Sequence, residues 1–349
     1  MKWRAYWLGL TGCSLAALFF LGYFTALPLA TRPPRPDMPA FGQTFVSEYN
    51  AAGWDAAHDI FFHGLFNMGD RLRHTDLFLV GSSHFEFGLS AARMESLLSK
   101  NGRALRVFNL SAGCGETAGF GLDALAANGV SSRSVIAEAG FLDTPASGPC
   151  ARRAEGFDTV QAYFDVFRIW TKCLYDWVFD PVLPRLVFAE DGLHIQRFLY
   201  GFLVERDWET GDVTLAWHPV EGEFYPDHPI RQTEVAAASL DRGVDWKLND
   251  GEILVNDLLR RKATALDIDL SLTFLPWVIP FPGFDKWYDA QVASIRPTQS
   301  EETRCLIPIS VESLLSWDGG NHLTGKSRAL ATGRLVAGIE ASRCVTSAH

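Results

Sequence analysis

The chain lacks any surplus of positive charge. Its 349 residues carry 31 Lys and Arg against 41 Asp and Glu, a formal net charge of −10, and no local Lys/Arg cluster offsets that balance. A nucleic-acid binder needs a basic face that releases counterions, so nucleic acid is excluded as an expected partner. No CxxC pair occurs among the six cysteines, Cys13, Cys114, Cys150, Cys173, Cys305 and Cys344, which removes support for a zinc site or thioredoxin-like chemistry. His58 and His63 stand five apart and so do not share a helix face, which argues against a metal pair there. No metal and no organic cofactor is expected. Internal repeats and low-complexity tracts are also absent. With 48% hydrophobic and 21% charged residues, the chain has enough apolar material for a packed core.

Charge is missing altogether from Ala5 to Ala30, "AYWLGLTGCSLAALFFLGYFTALPLA", directly after Lys2 and Arg4. Those 26 residues exceed the roughly 20 needed to cross a bilayer as a helix. A cleaved signal peptide has a shorter apolar region, about 7–15 residues, so a retained signal anchor at 1–30 is the favoured reading and a long signal peptide cut near Ala30 the alternative. The positive-inside rule places the amino-terminal end in the cytoplasm, although Arg32 and Arg35 on the far side oppose it. Either reading exports the bulk of the chain, and the anchor reading leaves it periplasmic on an inner membrane that it spans once. An oxidising compartment allows one or two disulfides among the five cysteines beyond the anchor, with at least one left over.

The remainder divides into 31–72, a proline-rich stalk ("TRPPRPDMP") and a helical lead-in; 73–145; an aromatic-rich insertion at 146–235; and 236–349. From Thr75 strand and helix alternate. "DLFLV" is a first strand, followed by a helix around Ala91 to Lys100. "ALRVFNL" is a second strand, with a helix ending at Gly129, and "SVIAEAGFLD" a third. The pattern resumes with the amphipathic helix "GEILVNDLLRRKATALD", the strands "IDLSLTFLPWVIP" and "TRCLIPI", and a terminal helix "LTGKSRALATGRLVAGIEAS". Such alternation implies an α/β fold, a three-layer sandwich around a mostly parallel five-stranded sheet. The insertion reads as a helical element plus loops, with Tyr163, Phe164, Phe167, Trp170, Tyr175, Trp177 and Phe179 as core aromatics.

In an open α/β sheet, reactive groups collect at the carboxyl ends of the strands. Four polar stretches end strands here: "GSSH" at 81–84, "NLSAGCGE" at 109–116, "GFLD" at 140–143 and "WDGGNHLT" at 317–324. Ser83 at the first, with Asp318 and His322 after the last, supplies a nucleophile, an orienter and a base. A serine hydroxyl is a weak nucleophile at neutral pH and needs such a base in contact.

These residues resemble the SGNH/GDSL hydrolase and acyltransferase superfamily, over about 75–145 and 250–340, and most of all its exported, membrane-anchored branches that act on cell-envelope polymers. The resemblance implies a flavodoxin-like SGNH core in which Ser83 of "GSS" is the nucleophile, with Ser82 standing where the family often has Asp. It implies that the backbone N–H groups of Ser83 and of Gly113 in "NLSAG" hold the oxyanion. The chain departs from the family pattern at Leu142, which stands where an Asn donor is common, and Asn109 is the candidate substitute. Asp318 lies four residues before His322 rather than three. His84 and Ser82 are candidates for substrate contact. The activity implied is a serine esterase or O-acyltransferase acting on an envelope polysaccharide or other acylated substrate. Two alternatives stand beside it: a catalytically silent scaffold associated with envelope-assembly proteins, and a lipid or thioester hydrolase at the membrane surface.

Overall fold

The computed structural model describes residues 11–14, 44–49, 54–113, 117–139, 148–179, 185–189, 192–196, 203–216, 250–275, 306–310, 313–315 and 322–342. In chain order, β1 (Thr44–Tyr49) and β2 (Trp54–Asp55) precede α1 (Ala57–His63) and α2 (Met68–Arg73). The alternating core then begins with β3 (Leu77–Val80), α3 (Ser83–Gly88), α4 (Ala91–Lys100), β4 (Val107–Asn109), α5 (Ala118–Ala127) and β5 (Ser134–Glu138). Helices α6 (Pro149–Gly156) and α7 (Thr159–Phe179) follow, then four strands, β6 (Arg185–Ala189), β7 (Gly192–Gln196), β8 (Leu203–Asp207) and β9 (Val213–Ala216). The chain returns to the core through α8 (Asp250–Ala265), β10 (Asp269–Phe274), β11 (Leu306–Pro308) and α9 (Gly325–Ser342).

The five strands expected from sequence form one sheet in the order β11-β10-β5-β3-β4, every pairing parallel. Counted along the chain, that order is 2-1-3-4-5. β3 is central and apolar throughout, as a strand covered on both faces must be. Its side chains alternate: Phe78 and Val80 join one core cluster, with Leu122 of α5 and Leu259 of α8, while Leu77 and Leu79 join the other, with Met94 of α4 and Leu335 of α9. Helices therefore cover both faces. Because β3 pairs with β4 on one side and β5 on the other, the chain reverses direction across the sheet at β3, the kind of point beyond whose carboxyl end ligands bind in open α/β sheets. At this end the chain places Ser83.

Two expectations need correction. Residues 40–72 are not helical throughout, since β1 and β2 precede α1. In "TFVSEY" Phe45 and Ser47 are both buried, a period of two that suits a strand. The insertion is also more than helices and loops. Its strand β8 pairs antiparallel with β1, giving a second sheet in the order β2-β1-β8-β9, and β6 pairs with β7. The lead-in and the insertion are thus joined by backbone hydrogen bonds. The aromatic expectation holds for Phe167 and Trp170, which pack on Phe66 at 6.2 and 5.2 Å between centroids. Phe164 is 72% exposed and is not core. The side chains of Tyr175, Trp177 and Phe179 lie outside the described residues, as does most of the apolar stretch at 5–30. Among the described residues no helix is long and apolar enough to cross a membrane.

Where α1 meets α6 and α7, a charged cluster is buried. Asp55 accepts from the Ala57 N–H and contacts His58 at 2.8 Å, while Arg153 lies 3.5 Å from Asp59 and 3.3 Å from Asp165. Burial alone would raise the Asp55 carboxyl, but His58, Arg206 and the Ala57 N–H together hold it below its ordinary value. Burial pushes Asp59 up to about 7, opposed by Arg153 and reinforced by Asp165. The folded chain thus holds a proton at Asp59 that the unfolded chain releases near 3.8. The stability this gives is complete at low pH and is lost as pH rises toward about 7. We expect Asp59→Asn to gain on the wild type between pH 5 and pH 8 in thermal melts, by at most roughly 3 kcal/mol, since about two pKa units of that window lie below 7 at about 1.4 kcal/mol per unit. A constant difference across that range would remove Asp59 as the titrating group.

Candidate functional site

The nucleophile turn is built by local rules. Gly81 follows β3 because a Cβ there would sit 2.7 Å from both Glu138 Oε2 and Phe85 Cβ. Ser82 is the N-cap of α3, its Oγ accepting from the His84 N–H at 3.2 Å. Ser83 is then the first helical residue. Its Oγ lies 3.0 Å from Nε2 of His322. With the ring's proton on Nδ1, the Ser83 hydroxyl donates to Nε2, the arrangement a general base needs. The two residues stand 239 positions apart in sequence, so the contact is made by the fold alone.

His322 is placed by the end of the chain's last helix. The Thr324 N–H donates to the Leu315 carbonyl, and the Ser327 N–H to Thr324 Oγ1, which caps α9 two residues beyond the imidazole. The edge of Phe87 meets the His322 ring at 4.9 Å between centroids. Arg328, one turn further along α9, donates to the carbonyls of Leu89 and Val213 and pairs with Asp212 at 2.9 Å. Asp212 in turn accepts from Ser90 Oγ and from the N–H groups of Ala91 and Ala92 at the start of α4. The helix that follows the base is therefore tied to the segment that follows the nucleophile.

Gly113 is buried in the loop leaving β4. Its neighbour Ala112 donates a backbone N–H to the Gly81 carbonyl at 3.1 Å, which lays that loop beside the nucleophile turn. Asp318, Leu142 and Asp143 lie outside the described residues. The other expected residues take different places. Asn109 is fully buried, its amide Nδ2 donating to the carbonyls of Glu86 and Leu89 and its Oδ1 accepting from the Ser111 N–H. An amide committed to two carbonyls is not available to an oxyanion, so Asn109 shapes the loop instead. Ser82 and His84 are buried within the turn rather than presented to a substrate, because each is engaged by Glu138.

Sequence reasoning passes over Glu138. This carboxylate, buried at the end of β5, accepts from the Ser82 N–H at 2.7 Å and lies 3.1 Å from His84 Nδ1. It thereby fixes the residues on both sides of Ser83. A single acid in the apolar run "VIAEA" is the signal, since a charge there must be paired. Among the described residues no group of three His, Cys, Asp or Glu is arranged to hold a metal ion.

Comparison of the chain with family models, with known proteins and with solved structures finds no match. The reading of this site therefore rests on its geometry and on the sequence.

Proposed function

We propose that this protein is an exported, membrane-anchored serine esterase or O-acyltransferase of SGNH type, acting on an acylated glycan of the cell envelope. The observation that carries the proposal is the 3.0 Å contact between Ser83 Oγ and His322 Nε2 at the carboxyl edge of a parallel sheet. The 2-1-3-4-5 order is that of flavodoxin-like sheets, and it puts the serine at the point where ligands bind in such folds. Cys150 is disulfide-bonded, which suits an oxidising compartment. The apolar stretch at 5–30 supplies the anchor in this reading, and the glycan comes from the resemblance to envelope branches.

In the proposed reaction Ser83 Oγ attacks the acyl carbon while His322 Nε2 takes the hydroxyl proton. The tetrahedral intermediate collapses, the bond to the leaving alkoxide breaks, and His322 returns the proton to that oxygen. Water or an acceptor hydroxyl then attacks the Ser83 ester, losing its proton to His322, and the acid or the new ester leaves as Ser83 regains the proton. Of the N–H groups in the turn, that of Ser82 is taken by Glu138 and that of His84 by Ser82 Oγ. The N–H of Ser83 is the one this reading assigns to the oxyanion, together with that of Gly113. Asp318 is assigned to His322 Nδ1.

Treatment of the full chain with a fluorophosphonate probe tests the proposal. We expect one labelled serine, identified as Ser83 by peptide mapping and absent in Ser83→Ala. A folded wild type that does not label would point to the scaffold reading instead. Given labelling, release of free acid or transfer to an added oligosaccharide distinguishes the esterase from the transferase.

A further inference from the structure

The hairpin of β8 and β9 lies in the insertion, outside the alternating core, yet it sends one charged side chain beneath the site. Arg206 on β8 is fully buried. Its Nη1 donates to the carbonyls of Asn109 and Gly211 at 3.2 and 3.0 Å, and its Nη2 to the Ser111 carbonyl at 2.8 Å and to Glu86 Oε1. The guanidinium also rests 5.0 Å from the ring centroid of Phe61. Two of these partners belong to the reactive edge. Glu86 is one turn along the helix that starts at Ser83, and Ser111 is two residues before Gly113.

The hairpin is fitted closely to this task. Gly211 has a φ of +68°, and a Cβ there would come within 2.3 Å of the Asn109 carbonyl oxygen. The approach needs glycine both for backbone conformation and for space. On the Arg206 face of the hairpin, Val204 and Val213 pack with Phe87, the ring that meets His322. One element thus touches the nucleophile helix, the loop of Gly113 and the support of the base.

We infer that Arg206 is a positioning residue: its planar guanidinium fixes the helix carrying Ser83 relative to the loop carrying Gly113, so that nucleophile and oxyanion donor face one acyl carbon. An ammonium could neutralise Glu86, but it lacks the flat fork that serves three carbonyls and a carboxylate at once. The site requires both the fork's geometry and its ion pair with Glu86. Burial pushes the Glu86 carboxyl up to about 7, with Arg206 opposing that rise, so this pairing weakens as pH falls below neutrality.

The inference rests on the serine-nucleophile reading, and the experiment separates the two. Full-length wild type, Arg206→Lys and Glu86→Gln are labelled with the fluorophosphonate probe, and three quantities are read: the maximal rate of inactivation, the probe concentration giving half that rate, and the fraction of molecules finally labelled. A variant that only unfolds more readily labels fewer molecules at the wild-type rate. Mispositioning instead lowers the maximal rate while nearly all molecules still label. We expect a fall of about 10- to 100-fold in that rate for both variants, the scale on which small misplacements act, with half-saturation within about twofold of wild type. Wild-type rates in both variants would overturn the inference and leave the parent reading intact. A folded wild type that does not label would overturn both. Should Arg206→Lys not fold, the isosteric Glu86→Gln decides by the same readings.

Discussion

His322→Ala is expected to slow acylation of Ser83 by about 10⁴-fold or more, the scale on which loss of the base disables such a site. The melting temperature should move by no more than about 4 °C, because the ring is only half-buried. The separation of rate from stability is the point of the experiment. A serine hydroxyl ionises far above neutral pH, and here the group in contact with it is the Nε2 of His322 at 3.0 Å. His84, the neighbour in sequence, is turned toward Glu138. His84→Ala should therefore disturb the turn without removing the base, and its labelling should fall far less. The measurement is the time course of fluorophosphonate labelling followed to completion. Wild-type labelling by His322→Ala would mean that another group takes the proton.

Glu138→Ala carries the second large effect, this time on stability and rate together. The carboxylate receives the Ser82 N–H and faces His84 Nδ1, and all three groups are buried. Removing it takes the acceptor away from two buried donors at about 1–3 kcal/mol each, so the chain should lose roughly 3 kcal/mol of stability in denaturant titration. Glu138→Gln keeps the shape but turns an amide donor toward one of the two N–H groups, and it should lose less. In both variants Ser83 should acylate at least about 10-fold more slowly, since the turn that aims its Oγ is no longer held. Unchanged unfolding midpoints would show that water or a shifted side chain replaces the carboxylate without cost.

Much of this arrangement is legible in the sequence because it follows short-range rules. An apolar run ended by Gly81-Ser82-Ser83 reads as a central strand and a tight turn, and all five core strands occur in parallel pairing. Ser83 and His322 can be paired from the sequence because the alternating pattern sends both to the same sheet edge. What escapes depends on partners distant in the chain. β1 pairs with β8 across some 160 residues, and neither strand is long or regular enough to announce the other. Arg206 in "FLVERDWETGD" looks like part of a solvated charged face until β8 turns it inward. Asn109 has the place of an oxyanion donor at a strand end, and only the carbonyls of Glu86 and Leu89 show where its amide is spent. Strand ends can be located from pattern, whereas the direction a buried polar side chain takes is set by tertiary neighbours.

The 239-position gap between Ser83 and its base also bears on when the protein can act. A chain that emerges amino-terminus first exposes its nucleophile turn long before α9 exists to bring an imidazole to it. The β8–β9 hairpin, with its hold on Glu86 and Ser111, likewise arrives only after the turn has been made. In the proposed reading, a partly synthesised or partly translocated chain is chemically inert toward acyl groups, including any it meets while crossing the membrane. Reactivity switches on late, when α9 docks, which gives the chain a built-in delay set by the order of its own residues.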